Sequence, residues 1–252
     1  MKRDGADPVK ISLVVPAWNE AALLPRLLDS VALARDRWTD AGGAAGQIQV
    51  IVADNQSTDA TAQIAGNHGC RVATVEKRVI AAVRNGGAAL AQGETIAFID
   101  ADSIVHPDTF LAIAKAMADP RIVGGASGVT MERWSLGIAL SYALVLPLVW
   151  LTHFDTGVVF WRRADFETLG GYDERRMIAE DVDFLWRLRR LGRSQGRHLV
   201  RLRGVKAITS TRKFDAHGDW HYFLQMPGQA WRLLRDRGAL NDFARRYWYE
   251  GR

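Results

Sequence analysis

The sequence predicts an α/β domain built on a mostly parallel sheet, and three observations predict it. Short, β-branched apolar runs at Ile11–Val15, Ile48–Ala53 and Ile96–Ile99 read as buried strands, because a strand covered on both faces needs no polar alternation. A segment with helical spacing follows the first of them, carried by Leu24, Leu27, Leu28 and Val31. Each run ends in polar residues at its carboxyl side, where open parallel sheets bind ligands.

At 252 residues, with no low-complexity or Pro/Ser-rich linker, the chain fits one large domain. A hydrophobic share of 48% against 24% charged residues excludes disordered and fibrous classes. Cys70 is the single cysteine, which excludes an internal disulfide framework and a cysteine-built zinc site and fits a reducing compartment. The formal charge of +5 suits an anionic substrate or a membrane surface; with no nucleic-acid motif beside it, no DNA or RNA partner is expected. The segment Met1–Lys10 is charged and lacks an apolar run, so the expectation is a cytoplasmic protein.

Taken in order, the first strand closes at Pro16 and opens into Ala17, Trp18, Asn19 and Glu20. Pro25 then stands where a helix starts. Ala41–Gly46 is a turn, and the second strand ends in Asp54-Asn55-Gln56-Ser57-Thr58-Asp59. Thr58 or Asp59 also reads as the N-cap of a helix Ala60–Ala65, so capping and ligand binding both stand open for Asp59. A third strand, Arg71–Val75, precedes Arg84-Asn85-Gly86-Gly87 at the front of an Ala-rich helix, Ala88–Gln92. Arg84 and backbone amides there suit an anion; the alternative is a surface arginine beside a turn.

The stretch Ile96–Ser103 carries the most chemistry. In an extended chain Asp100 and Asp102 project to one side while Ala101 turns away. Two carboxylates so placed suit Mg²⁺ or Mn²⁺, which also takes phosphate oxygens, and the implied ligand is a diphosphate; a turn with helix-capping character is the alternative. Trp18, Asn19, Asp54, Asp59, Asp100 and Asp102 then line one crevice at the strand ends.

Four segments, Val15-Pro16-Ala17-Trp18-Asn19-Glu20, Ala53–Asp59, Arg84-Asn85-x-Gly87 and Asp100-Ala101-Asp102, resemble in order and spacing the family 2 glycosyltransferases. The resemblance continues through Gly170-Gly171-Tyr172-Asp173-Glu174, Glu180-Asp181 and Arg187-Leu188, covering roughly Ile11 to Thr211. It implies the GT-A fold, a Rossmann-like, mostly parallel mixed sheet flanked by helices. The single domain would occupy residues 9–215, with a nucleotide-binding half at 9–103 and an acceptor half at 104–215, followed by an aromatic and basic helical extension at 216–252.

The resemblance also implies roles. Pro16, Ala17, Trp18 and Glu20, with Asp54, match the positions that hold the nucleotide base, and Asp59 and Arg84 join the donor side. Asp100, Ala101 and Asp102 match the ribose and metal-diphosphate site, with Mn²⁺ or Mg²⁺ as cofactor. Asp181 matches the general base of an inverting displacement, and Glu180 supports it or touches the acceptor; apart from the family match the pair reads as dipole-complementing acids opening a helix Val182–Leu191. Asp155-Thr156-Gly157 falls where similar enzymes pass near the sugar and diphosphate, Gly157 allowing close approach. Arg212 or Lys213 would grip the diphosphate, and His217 would complete the metal shell on loop closure, the alternative being a surface histidine.

Trp134–Phe154 is a nearly uncharged run of membrane-spanning length. A crossing there would put the metal pair and the base on opposite sides of a bilayer, so the run reads instead as a buried helix pair divided or kinked at Pro147, a homodimer interface or an element lying on lipid. Aromatic residues from Trp220 to Tyr249 interleaved with Arg232, Arg235, Arg245 and Arg246 fit either a peripheral membrane contact or packing on the domain. The expected reaction moves a sugar from a nucleotide-diphosphate sugar, with uracil the base implied at Asp54, to a hydroxyl acceptor that is lipid-linked or a cell-envelope glycan precursor. The alternatives are a sugar-phosphate nucleotidyltransferase, disfavoured because Pro16-Ala17-Trp18-Asn19 replaces a Gly-rich phosphate loop, and a catalytically silent nucleotide- or partner-binding domain.

Overall fold

A computed structural model describes residues 7–152, 157–177, 179–220 and 223. The first strand, β1 (Ile11–Ala17), is buried along all seven residues, and full burial of each large aliphatic side chain there contributes about 1.5–3 kcal/mol. After it, α1 (Leu24–Asp40) starts with Pro25 in its first turn and buries Leu24, Leu27, Leu28, Val31, Ala34 and Trp38 at spacings of three and four. A short 3-10 turn (Ala45–Gln47) leads into β2 (Ile48–Asp54), then α2 (Thr61–Asn67), β3 (Arg71–Thr74) and α3 (Ile80–Ala88). The chain continues through β4 (Thr95–Phe98), β5 (Ser103–Ile104), α4 (Thr109–Met117), β6 (Ile122–Met131) and α5 (Leu136–Thr152). It closes with β7 (Val159–Arg162), α6 (Arg163–Thr168), α7 (Glu180–Ser194), β8 (His198–Thr209) and α8 (Arg212–His217).

The strands form one mixed sheet in the order β3-β2-β1-β4-β7-β6-β8-β5. The half of the sheet built from β1 to β4 is parallel, with β1 pairing β2 and β4 and β2 pairing β3; β7 then runs antiparallel to both β4 and β6. Alternation along the strands feeds two cores. Ile11, Leu13, Val15 and Ala17 face one side with Val50 and Val52, against α1 and α4, while Val14, Ile51 and Phe98 face the other with Trp161 and Phe184. Leu13→Ala would leave a cavity in the first core and cost about 2–5 kcal/mol. Because β1, β2 and β4 are parallel, their carboxyl ends open together on one edge.

Two sequence expectations need correction. Arg84 does not precede a helix at Ala88–Gln92; it lies inside α3, which ends at Ala88. Gly86-Gly87, which reads as a turn, stays helical because α3 lies close on the sheet: a Cβ at Gly86 would collide with Val75, and one at Gly87 would meet Val14 and Ala53. Nor does Pro147 divide α5, which runs as one helix from Leu136 to Thr152; a proline removes a single backbone hydrogen bond, and the apolar turns on either side continue. Asp155, Thr156, the side chain of His217 and the extension beyond residue 220, apart from Phe223, lie outside the described residues.

Candidate active site

The loops after β1 and β2 are laced together before any ligand is considered. Asn19 adopts a left-handed backbone (φ 53°), a conformation an asparagine tolerates better than most residues. Its side-chain oxygen accepts the Thr58 N–H at 2.9 Å, and its own N–H donates to Ser57 Oγ at 2.9 Å. Asp59 completes the lacing, accepting N–H groups from Ala21 (3.1 Å) and Thr61 (3.0 Å) and the Thr61 hydroxyl (2.5 Å). Burial pushes its carboxyl upward, but these hydrogen bonds outweigh that and hold it below the ordinary range. Asp59 therefore braces the loop and does not line the cavity.

That cavity, about 390 Å³, sits at the carboxyl ends of the parallel strands. It brings together most of the residues singled out in the sequence: Pro16, Ala17, Trp18 and Glu20 after β1, Asp100-Ala101-Asp102 after β4, Arg84 on α3, Glu180 and Asp181 opening α7, and Arg212 and Lys213 opening α8. Asp54 is not in the lining, although the next residue, Asn55, is. The Asp54 Oδ2 accepts the Ser57 N–H at 3.2 Å, whereas its Oδ1 and the Trp18 Nε1 are buried with no hydrogen-bond partner among the described residues. A buried acceptor or donor left unsatisfied is costly unless a ligand meets it. Gly157 is not part of the lining; it packs tightly on Ser127 and Gly128.

Two arginines organise the acids. Arg84, partly buried, donates to Asp100 at 3.1 Å and to Glu180, and lies 5.5 Å above the Tyr172 ring. Burial opposes its charge, but Asp100, Glu180 and Asp181 outweigh burial and hold the guanidinium charged. Burial likewise raises Glu180, with Arg84 pulling in the opposite direction. The neighbouring Asn85 accepts the Tyr172 N–H at 2.9 Å and donates to the Tyr172 carbonyl at 3.0 Å and to Glu174 at 3.1 Å. The Arg-Asn pair of α3 thus grips both the Glu180 turn and the Gly-Gly-Tyr-Asp-Glu segment. Beneath them Phe98, Trp161, Phe166, Tyr172 and Phe184 form an aromatic bed with ring centroids 4.6–6.3 Å apart.

On the opposite wall Arg212 forks onto Glu20 at 2.6 and 2.7 Å and reaches Asp102 at 3.3 Å. Asp102 is raised from its ordinary value by burial first and by the charge of Asp100 second, and Arg212 opposes both. Two carboxylates one residue apart on this wall fit a hard divalent cation that also takes phosphate oxygens; among the described residues no group of three or more Asp, Glu, His or Cys is placed to hold a metal ion. Asp181 is half-buried, its Oδ1 accepting the Val182 N–H at 2.7 Å. Ala179 before it has φ 58°, strained for a residue with a Cβ, and this turn aims the two acids into the cavity.

Sequence reasoning missed Asn55, Ile80, Val83, Met177, Ala179, Thr209 and Ser210 in the lining. Ile80 was accessible in principle, lying one helical turn before Arg84, as was Ser210, two residues before Arg212. Asn55 ties β2 to the segment after β3 through the carbonyls of Val75 (2.7 Å) and Lys77 (3.2 Å). Met177 and Ala179 carry no sequence signal.

The profile of glycosyl transferase family 2 matches residues 12–165, more than half of the chain. A PGL/p-HBAD biosynthesis glycosyltransferase of Mycobacterium tuberculosis is 30% identical over 184 residues, 69% of this chain and 67% of the relative. A validoxylamine A glucosyltransferase of Streptomyces hygroscopicus subsp. jinggangensis is 31% identical over 118 residues, 44% of this chain. The chain spans only 26% of the length of that second relative. Among solved structures, S. aureus TarS 1-349 in complex with UDP-GlcNAc superposes with a TM-score of 0.63 at 18% identity, covering 81% of this chain and 59% of the other. The mannosyltransferase PcManGT from Pyrobaculum calidifontis, in complex with GDP-Man and Mn2+, gives 0.58 at 19% identity, covering 91% and 67%. These likenesses are of fold, and the fold is GT-A. With the family profile matching residues 12–165, the chain belongs to glycosyl transferase family 2.

Proposed function

We propose that the protein is an inverting glycosyltransferase that moves a sugar from a nucleotide-diphosphate sugar, with UDP as the expected nucleotide, to the hydroxyl of a lipid-linked or cell-envelope acceptor. The observation that carries this reading is that one cavity is lined by both Asp100-Ala101-Asp102 and Glu180-Asp181, with Arg84 tying Asp100 to Glu180. The buried Oδ1 of Asp54 would accept from a base N–H, and the Nε1 of Trp18, a lining residue, would donate to a base carbonyl; uracil carries both kinds of group. Arg212 and Lys213 set positive charge beside the diphosphate. Asp102 and Asp100 would hold Mn²⁺ or Mg²⁺, which when bound neutralises charge on the departing nucleoside diphosphate.

Asp181 takes the proton from the acceptor hydroxyl as its oxygen forms the new bond to the anomeric carbon. The bond from that carbon to the phosphate oxygen breaks on the opposite face, its electron pair leaving with the diphosphate. A positioned base of this kind contributes roughly 10²–10⁴ in rate. The bound states of the two solved neighbours, one with UDP-GlcNAc and one with GDP-Man and Mn2+, support a sugar nucleotide and a divalent cation for a cavity of this fold. The test is nucleoside diphosphate release from a panel of sugar nucleotides with Mn²⁺ and, separately, Mg²⁺. Release by the wild type that falls about 10²-fold or more in Asp181→Asn supports the reading. Binding of a nucleotide with no turnover of any sugar nucleotide overturns it in favour of a silent binding domain.

A further inference from the structure

Helix α5 carries no charged residue from Leu136 to Thr152, yet its described part is not covered on all sides. Ile138 and Ser141 are buried on the inner face, whereas Leu136, Leu140 and Leu144, one helical turn apart, are 69%, 37% and 47% exposed, and Trp134 just ahead of them is 51% exposed. A helix without a polar face is stable against protein or lipid and not against water. The base of this ridge is fixed to the active-site wall. Arg133 pairs with Asp215 at 2.5 Å and with Asp219 at 2.7 Å on the segment that begins with Arg212 and Lys213. A Cβ at Gly137 would lie 2.7 Å from the Asp219 carbonyl oxygen, so the first turn of α5 rests directly on that segment.

We propose that the outer ridge of α5 lies in the headgroup and acyl boundary of a lipid bilayer and holds the mouth of the cavity at the membrane surface. Three observations favour lipid over a second copy of the chain. The four exposed side chains offer roughly 400 Å², given about 150–250 Å² for a large side chain, against the ~800 Å² per partner that a stable dimer buries. Trp134, edge-on to Tyr142 at 5.6 Å, marks the border between the charged Arg133 cluster and the leucine ridge, the position aromatic rings take at a membrane interface. Lying along the surface rather than crossing fits two facts: among the described residues no helix is long and apolar enough to cross a membrane, and Asp102 before α5 shares one cavity with Asp181 after it. Resting on the transferase reading, the acceptor is then an amphiphile whose hydroxyl reaches Asp181 from the bilayer.

The experiment is flotation of the full chain with vesicles of phosphatidylcholine alone and of phosphatidylcholine with phosphatidylglycerol, at low and high salt, for wild type and Leu136→Gln/Leu144→Gln. Light scattering gives the oligomeric state of both, and thermal stabilisation by UDP with Mn²⁺ checks the cavity independently of lipid. The proposal expects wild-type flotation that survives high salt, since apolar contact is not screened, and a floated fraction about tenfold lower in the double variant with unchanged thermal stability. Absence of flotation, equal flotation of the variant, or a wild-type dimer that the variant converts to monomer would each overturn it. Failure of the transferase reading shows separately, as loss of the nucleotide effect in both proteins.

Discussion

Arg212 and Glu20, separated by 192 positions, meet as a two-pronged pair at 2.6 and 2.7 Å, joining the loop after the first strand to the last described helix. Glu20 is 5% exposed, and Arg212 donates to both of its carboxylate oxygens. Glu20→Gln is expected to destabilise the fold by about 1.5–3 kcal/mol, and Arg212→Lys, which keeps the charge and loses the fork, by a similar amount. Urea denaturation measures this as a lower midpoint at constant slope. Unchanged midpoints would show that the pair does not hold the two segments together.

Arg84 is expected to couple to Glu180 more strongly than a surface ion pair. Arg84→Ala leaves a buried carboxylate without its partner and should cost about 3–5 kcal/mol. Arg84→Ala combined with Glu180→Gln should cost clearly less than the sum of the two single changes, since the second removes the charge stranded by the first. A double-mutant cycle in denaturant measures the coupling, and additivity would contradict the pairing.

The strands were legible from the chain alone because burial on both faces leaves a contiguous apolar signature, as at Ile11–Ala17. The acids at the strand ends were legible for the same reason: Asp100 and Asp102 interrupt an otherwise apolar segment. The arginine pairings were not. Arg84 meets Glu180 across 96 positions and Arg212 meets Glu20 across 192, and no local pattern encodes contacts made only after the sheet has folded. The boundaries of α3 were hidden by Gly86-Gly87, whose missing side chains serve close packing here and a turn elsewhere. Asp59 presented two readings in sequence, and only its partners Ala21 and Thr61 assign it to bracing.

Asp59→Ala should therefore cost about 1 kcal/mol near neutral pH, through loss of the hydrogen bonds that Asp59 accepts from Ala21 and Thr61, while leaving nucleotide affinity largely intact. The pH dependence has a definite sign. The folded carboxyl lies below its unfolded value of about 3.9, so its contribution is complete above that value and is lost as pH falls through the lower folded one. The deficit of the variant should narrow in acid below about pH 4. A deficit that widens there would contradict the assignment.

Cys70 should be chemically quiet. Burial pushes its thiol up to about 11, with Arg35 opposing only in part. At pH 8 its alkylation should run about two orders of magnitude slower than that of a free thiol and rise about tenfold per pH unit toward 11. Mass spectrometry after timed iodoacetamide treatment measures the rate; labelling at the speed of glutathione would contradict the burial of the thiol.

The most direct measurement is the thermal midpoint with UDP, GDP, ADP, TDP and CMP, each with and without Mn²⁺ or Mg²⁺, on the wild type and on Asp102→Asn. Binding to the folded state raises the midpoint by mass action, so no acceptor is needed. A cation-dependent rise with UDP that disappears in Asp102→Asn is the expected result. A rise with UDP that ignores the cation and survives Asp102→Asn would contradict the assignment of Asp102 and Asp100 to a metal-diphosphate site.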